Sequence, residues 1–274
     1  MKAYSFRMAA VAAAITLVAL LLASCSGSTV AKAGSPDFYW SAARSAYAAG
    51  DYLATVEQLD HLIDHPNEFT SRAIPWSLVL TTGLAAGYVE LAGDYAKGAL
   101  MNKAIAPACY SKAAEYRNLA SPLLLSAVRT AGKLDQLPPG SVLLAFGRPR
   151  GQLAPPTELL RIAAGLPISA EDAEQAPAMA IERNVLLSAC SAVGAPDDSA
   201  KASEILGHAS TITPRATFAN AMAKMLETAG SLYTRNVLDY PDKLAMVEAS
   251  VKALRAAADQ PGPAMVVKVQ SGVH

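Results

Sequence analysis

Asp60, His61, Asp64 and His65 form the densest group of metal-binding side chains in the sequence. On a helix His61 and His65 stand one turn apart, as do Asp60 and Asp64, so either pair can bridge a cation. A tightly held transition metal needs three or four protein ligands, and no third histidine or cysteine lies nearby in sequence. The chain has four histidines in all, one of them the terminal His274. Histidines at a helix end also suit the negative end of the helix dipole. The expectation is a polar helix end, with no metal and no cofactor.

A second group is the "FGRPRG" stretch, which places Arg148 and Arg150 in a glycine-flanked loop. Arginine forks match carboxylate and phosphate oxygens, so both arginines are candidate binding residues. A solvated connection is the plainer reading, since no helix start suited to an anion accompanies them. Tyr110, Tyr116 and Tyr233, with Tyr240, are candidates to line a groove, although tyrosines at helical spacing also serve core packing. There is no Gly-x-Ser-x-Gly elbow, phosphate loop, His-Glu-x-x-His or paired-cysteine motif. No catalytic residue is expected, and a non-enzymatic binding role follows.

These residues sit in a chain of 274 residues, 52% hydrophobic and 17% charged, with a formal net charge of zero. The length suits one large domain or two small ones. The absence of a basic excess argues against nucleic acid as a partner. Aromatic residues make up only 6%. Alanine is abundant, and it is the best helix former, so the bulk reading is a helical body.

The first residues are of another kind. Lys2 and Arg7 precede an apolar run, Met8 to Ala23, broken only by Thr16. At helical rise it spans about 24 Å, short of a hydrocarbon core of about 30 Å. A positive start, a short apolar centre and a close in small residues mark a secretory signal. Leu22-Ala23-Ser24-Cys25 resembles the bacterial lipobox. That resemblance implies that residues 1–24 are removed and that the Cys25 thiol carries a diacylglycerol. It also implies that a second acylation at the new amino terminus anchors the chain to a membrane. Ser26 stands where inner-membrane lipoproteins often have aspartate, so the periplasmic face of an outer membrane is expected. Residues 25–34 then read as a flexible tether. Loss of Lys2 and Arg7 leaves 21 basic and 23 acidic residues, a formal charge of −2.

The helical body begins with a cap and a proline, Ser35-Pro36, followed by Asp37. Gly50 suits a left-handed helix end and Asp51 a new cap. Val56, Leu59, Leu62 and Ile63 recur at helical spacing up to His65-Pro66. Tyr39 or Trp40, Ala43, Gly50-Asp51-Tyr52, Ala54 and Pro66 resemble a tetratricopeptide repeat. A second "AGDY", Ala92 to Tyr95, lies 43 positions after the first. The family repeat is about 34 residues, and an extended connection over Asn67 to Pro75 is expected to absorb the difference. The resemblance implies an all-α fold of antiparallel helix pairs stacked as an α-solenoid, whose surface binds a protein or peptide.

Further helices are predicted over Pro107–Lys133, with a kink or fresh start at Ser121-Pro122, and near 157–164, 177–193 and 197–207. Two more are predicted from Thr213-Pro214 to about Leu238 and from Tyr240-Pro241 to about Ala258. Residues 135–157 hold five prolines and three glycines and read as a long loop or joint, with a short extended piece inside Leu137–Phe146. The expected organisation is a signal at 1–24, a tether at 25–34, helical regions at 35–134 and 158–259 flanking the joint, and a tail at 260–274. Helix pairs, long loop and lipid anchor together are similar to the T-component lipoproteins of TRAP transporters. That likeness implies a second expectation, a small ligand bound for a periplasmic uptake system. Cys109 and Cys190 lie in apolar helical settings. They suit either a disulfide in an oxidising compartment or two buried thiols.

Overall fold

The computed structural model describes residues 31–208 and 210–259. The expected signal peptide, Cys25, most of the expected tether and the expected tail lie outside the described residues. The chain divides into two compact units, Met1–Phe38 and Tyr39–His274. In the first, the described part leads into α1 (Pro36–Ala49), and Ser35 Oγ accepts from the Phe38 N–H at 3.3 Å. The cap-plus-proline start forms where the residues call for it.

The second unit takes up the remainder of α1. Gly50 closes that helix at φ +84°, a conformation costly for any residue with a Cβ. Asp51 accepts from the Ala54 N–H at 3.0 Å and opens α2 (Tyr52–Asp64). His65 leaves helical geometry at φ −123°, the extended conformation that a following proline favours. The first helix pair therefore has the boundaries expected of it.

The next element does not. α3 runs from Thr70 to Met101 as one helix of 32 residues, about 48 Å long. Every residue from Ala73 to Tyr88 is buried. A helix apolar on all sides has to be surrounded. Here α2, α4 (Ala106–Ala131), α5 (Thr157–Ala163), α6 (Ala170–Ala192) and α8 (Arg215–Gly230) all pack on it. Its buried Thr82 hydroxyl meets Ser188 of α6. Ser188 donates to the Val79 carbonyl at 2.9 Å and lies 3.0 Å from Thr82 Oγ1. Among the described residues no helix is long and apolar enough to cross a membrane.

α3 corrects two expectations. The connection expected over Asn67–Pro75 is helical from Thr70, with Pro75 buried inside. The second "AGDY" is not an interhelical turn, because Gly93-Asp94-Tyr95 lies within α3. Asp94 pairs with Lys97 at 3.2 Å and Tyr95 packs against Tyr116, with ring centroids 5.7 Å apart. Burial on α4 thus continues a helix that the same four letters end at Gly50. The break expected at Ser121-Pro122 is likewise absent, since α4 passes through Pro122 without interruption.

The proline-rich joint is ordered. A 3₁₀ turn (Leu134–Gln136) leads to β1 (Ser141–Leu144), which pairs antiparallel with β2 (Thr211–Pro214) in the register Val142↔Thr213 and Leu143↔Ile212. Thr213-Pro214 thus ends a strand and leads directly into α8, with Pro214 at its N-cap and no side-chain cap. The buried Arg215 ties the joint to α8 by donating to the Leu137 carbonyl and to Asp135, each at 3.1 Å. α6 starts seven residues before Pro177, because Ser169 and Asp172 form a reciprocal capping box. α7 (Ser199–Leu206) opens on Asp198, and α9 (Pro241–Ala258) opens at Tyr240-Pro241 as expected. α8 ends at Gly230, short of the expected Leu238, and a 3₁₀ turn (Ser231–Tyr233) follows. The described fold is mainly helical, with one two-stranded sheet.

Candidate functional site

Trp40, Arg44 and Tyr47 recur at helical spacing along one face of α1. Arg72 and Trp76 do the same one turn apart at the start of α3. Leu143 of β1 and the residues after it, Ala145, Phe146 and Gly147, face these two helices. Together they enclose a cleft of about 420 Å³ that Ser210 also lines.

Its walls are aromatic. Trp76 is 1% exposed and packs edge-on to Trp40, at 5.4 Å and 77°, and to Tyr47, at 5.2 Å and 80°. Phe146 stacks on Trp76 at 5.8 Å and 20°. Phe69 stacks behind Trp40 at 5.1 Å and 12°. Such edge-to-face and offset contacts contribute beyond the area they bury, so the rings form a rigid surface. The Trp76 indole N–H is buried with no acceptor among the described residues.

The wall carrying Phe146 is held by its own hydrogen bonds. Tyr47 Oη donates to the Gly147 carbonyl at 2.7 Å, and the Arg150 N–H donates to Tyr52 Oη at 2.9 Å. The Arg150 guanidinium donates to the Ala48 carbonyl at 2.6 Å. Arg148 folds onto its own loop, donating to the carbonyls of Pro149 at 3.2 Å and Gly151 at 3.1 Å. Burial pushes the Tyr47 phenol well above its ordinary pKa, and the neighbouring Tyr52 adds to that. The phenol therefore stays a donor to Gly147 at any physiological pH.

Arg44 and Arg72 differ from these. Both are exposed cleft residues, and no hydrogen bond or ion pair within the described residues engages either guanidinium. The cleft thus offers two uncommitted guanidinium groups beside an apolar aromatic surface.

None of the candidate binding residues read from the sequence, Arg148, Arg150, Tyr110, Tyr116 and Tyr233, lines this cleft. Arg148 and Arg150 are positioned beside it as loop anchors. Tyr116 packs in the core between α3 and α4, 6.1 Å from Tyr88 and 5.7 Å from Tyr95, its phenol pushed up to about 12 chiefly by burial. Tyr110 is exposed on α4. Tyr233 belongs to another cluster, where its hydroxyl donates to the Ser121 carbonyl at 3.0 Å. Lys243 lies over its ring and that of Tyr240 at 5.4 and 4.6 Å.

The cluster at the end of α2 is taken up by other partners. Asp60 pairs with Arg129 at 2.9 Å and Asp64 with Lys133 at 3.2 Å, and His61 stacks on Tyr39 at 4.3 Å. Among the described residues no three potential ligands stand together as a metal site. Cys109 and Cys190 are buried free thiols, and burial raises the pKa of both.

Arg44, Arg72 and Trp76 carry no binding expectation in the sequence, and Trp40 enters it only as the repeat-like aromatic, for a physical reason. Arg72 fell in the expected extended connection, so its one-turn spacing to Trp76 had no helix on which to count. A signal was present, since both tryptophans of the chain sit four residues from an arginine. Comparison with known protein families, with curated proteins and with solved structures returned no match to this chain.

Proposed function

We propose that this chain is a lipid-anchored, non-catalytic protein of the cell envelope that binds a protein or peptide partner through the aromatic cleft. In this reading Cys25 carries the lipid, the body lies at the periplasmic face of the outer membrane, and α1 and α2 act as a tetratricopeptide-like pair presenting the cleft. The observation that carries it is the composition of the cleft. Two tryptophans, a tyrosine and two arginines unpaired among the described residues converge on one concavity, and Trp, Tyr and Arg are the types that dominate binding hot spots.

Cys25→Ala should move the chain from the membrane fraction to the soluble fraction; full retention on the membrane overturns the anchor. Cross-linking in intact cells should capture a discrete envelope partner that Trp40→Ala loses. Capture unaltered by Trp40→Ala overturns the cleft as the contact surface.

The size of the cleft supports a second reading. About 420 Å³ lies within the range of small-molecule sites, roughly 300–1,000 Å³, as a ligand-binding accessory lipoprotein of a periplasmic uptake system requires. Binding of a small metabolite by the purified chain, with no partner cross-linked, decides for that reading.

A further inference from the structure

We propose that the cleft is a carboxylate site, in which Arg44 and Arg72 hold the charge while Trp40, Trp76 and Phe146 surround an apolar or aromatic body. The proposal rests on the reading of the cleft as the contact surface and names the chemistry recognised there.

Three observations carry it. First, Arg44 and Arg72 are the cleft's ionic side chains, and neither has a counter-charge or acceptor among the described residues. The arginines nearby behave differently: Arg148 and Arg150 each donate to backbone carbonyls. Each guanidinium presents a planar fork that matches the two oxygens of a carboxylate. Second, the rest of the wall is a packed ring cluster with Leu143, Ala145, Gly147 and Ser210, and among the described residues it holds no carboxylate. Low-dielectric walls beside the arginines strengthen their attraction for an anion. Third, the wall is preorganised, since the loop bearing Phe146 is tied to α1 and to the α1–α2 turn by Tyr47, Tyr52 and Arg150. Little ordering entropy then remains to be lost on binding.

A carboxylate fits better than a phosphate. Phosphate sites typically add backbone N–H donors from a helix N-terminus or a glycine-rich loop. The cleft residues of α1 begin at Trp40, beyond the first turn of that helix. Arg72 stands in the first turn of α3, but there the N–H groups of Thr70, Arg72 and Ala73 already donate to the Asn67 and Phe69 carbonyls. The carboxylate has two possible sources with shared chemistry, the C-terminus of a partner chain or a free small acid.

The two tryptophans of the chain both line the cleft, so intrinsic fluorescence reports on this site. The full-length detergent-solubilised protein is titrated with 3-phenylpropionate, 3-phenylpropionamide, phenyl phosphate, and the tripeptide Ala-Ala-Phe as acid and as amide. Calorimetry on the same samples covers ligands that leave the emission unaltered. Each acid should bind saturably and at least about tenfold tighter than its amide, the effect of one charge-assisted hydrogen bond. Arg44→Gln and Arg72→Gln should each weaken acid binding about tenfold and leave amide binding unchanged. Both side chains are exposed and unpaired among the described residues, so far-UV circular dichroism should match that of the unaltered chain. The tripeptide acid binding tighter than 3-phenylpropionate assigns the site to chain termini, and the reverse order assigns it to small acids; either order upholds the proposal.

Equal affinity for acid and amide, tighter binding of phenyl phosphate, no binding of any acid, or acid affinity unmoved in both arginine variants overturns it. These failures differ from failure of the functional reading. An envelope partner lost with Trp40→Ala but retained in both arginine variants leaves a binding cleft without carboxylate recognition. Acid binding without any envelope partner leaves the carboxylate site and removes the protein-binding role.

Discussion

At the scale of single residues, position in the fold decides what an ionisable group does. Four arginines lie in or beside the cleft, and two of them are consumed by carbonyl oxygens of the loop and of α1. Asp94 shows the same dependence on surroundings. Its side chain is 12% exposed while its partner Lys97 is 69% exposed, so solvent screens the pair and burial dominates. Burial raises the Asp94 pKa above the ordinary carboxylate value, and Glu90 nearby adds to the rise against the pull of Lys97. A carboxyl whose pKa is higher folded than unfolded stabilises the fold in its protonated form. That contribution is complete below the unfolded pKa and is lost as pH rises through the folded one. Asp94→Asn, which keeps an oxygen for Lys97, should therefore melt higher than the unaltered chain at pH 8. The difference should shrink as pH falls through the Asp94 pKa, as followed by thermal denaturation at several pH values. A lower melting temperature for Asp94→Asn at pH 8 overturns this account.

Elements are governed by what surrounds them as much as by their own composition. α3 contains two glycines five residues apart, Gly93 and Gly98, with opposite surroundings. A methyl group at Gly93 meets nothing within 4 Å, whereas one at Gly98 collides with the Ile162 carbonyl of α5. Gly93→Ala should therefore stabilise the chain by about 0.5–1 kcal/mol through helix propensity alone. Gly98→Ala should destabilise it by about 1–3 kcal/mol through overpacking. Urea denaturation of the two variants checks both signs, and destabilisation by Gly93→Ala contradicts the placement of Gly93 inside α3. A glycine needed for an interhelical turn gives that result, since only a turn makes Ala costly there.

At the scale of the whole molecule, a buried central helix makes the body a packed core, so residues far apart in sequence become mutually protective. Cys109 on α4 and Cys190 on α6 are both buried and unbonded. Burial raises their thiol pKa values, and only thiolates react quickly. Iodoacetamide at pH 8 should leave both unmodified in the folded protein and label both in urea without a reductant, as intact-mass spectrometry reports. Labelling in urea that requires prior reduction indicates a disulfide and overturns this picture. The Cys25 anchor acts at the same scale. One acyl chain binds a membrane marginally and two or more hold it stably, so the Cys25→Ala release experiment tests where the whole body resides.

Local chemistry was legible in the amino-acid order. The cap at Ser35, the left-handed Gly50 with Asp51 behind it, the stop at His65-Pro66 and the start at Tyr240-Pro241 each depend on a few neighbouring residues, and each forms where expected. So does the extended piece around β1, because strand-forming residues lie between turn formers. Helical class followed from alanine content and apolar spacing. The lipidation expected at Cys25 rests on the sequence motif alone. Tertiary structure decided the rest. The two copies of "AGDY" share four letters but differ in flanking residues and in packing, and at Gly93-Asp94 the helix continues where it is buried against α4. The cleft joins α1, α3 and the β1 loop across about a hundred residues of chain, with Tyr47 reaching Gly147. No spacing rule spans that separation. Which arginines remain free to bind depends on which carbonyls the folded backbone brings within their reach.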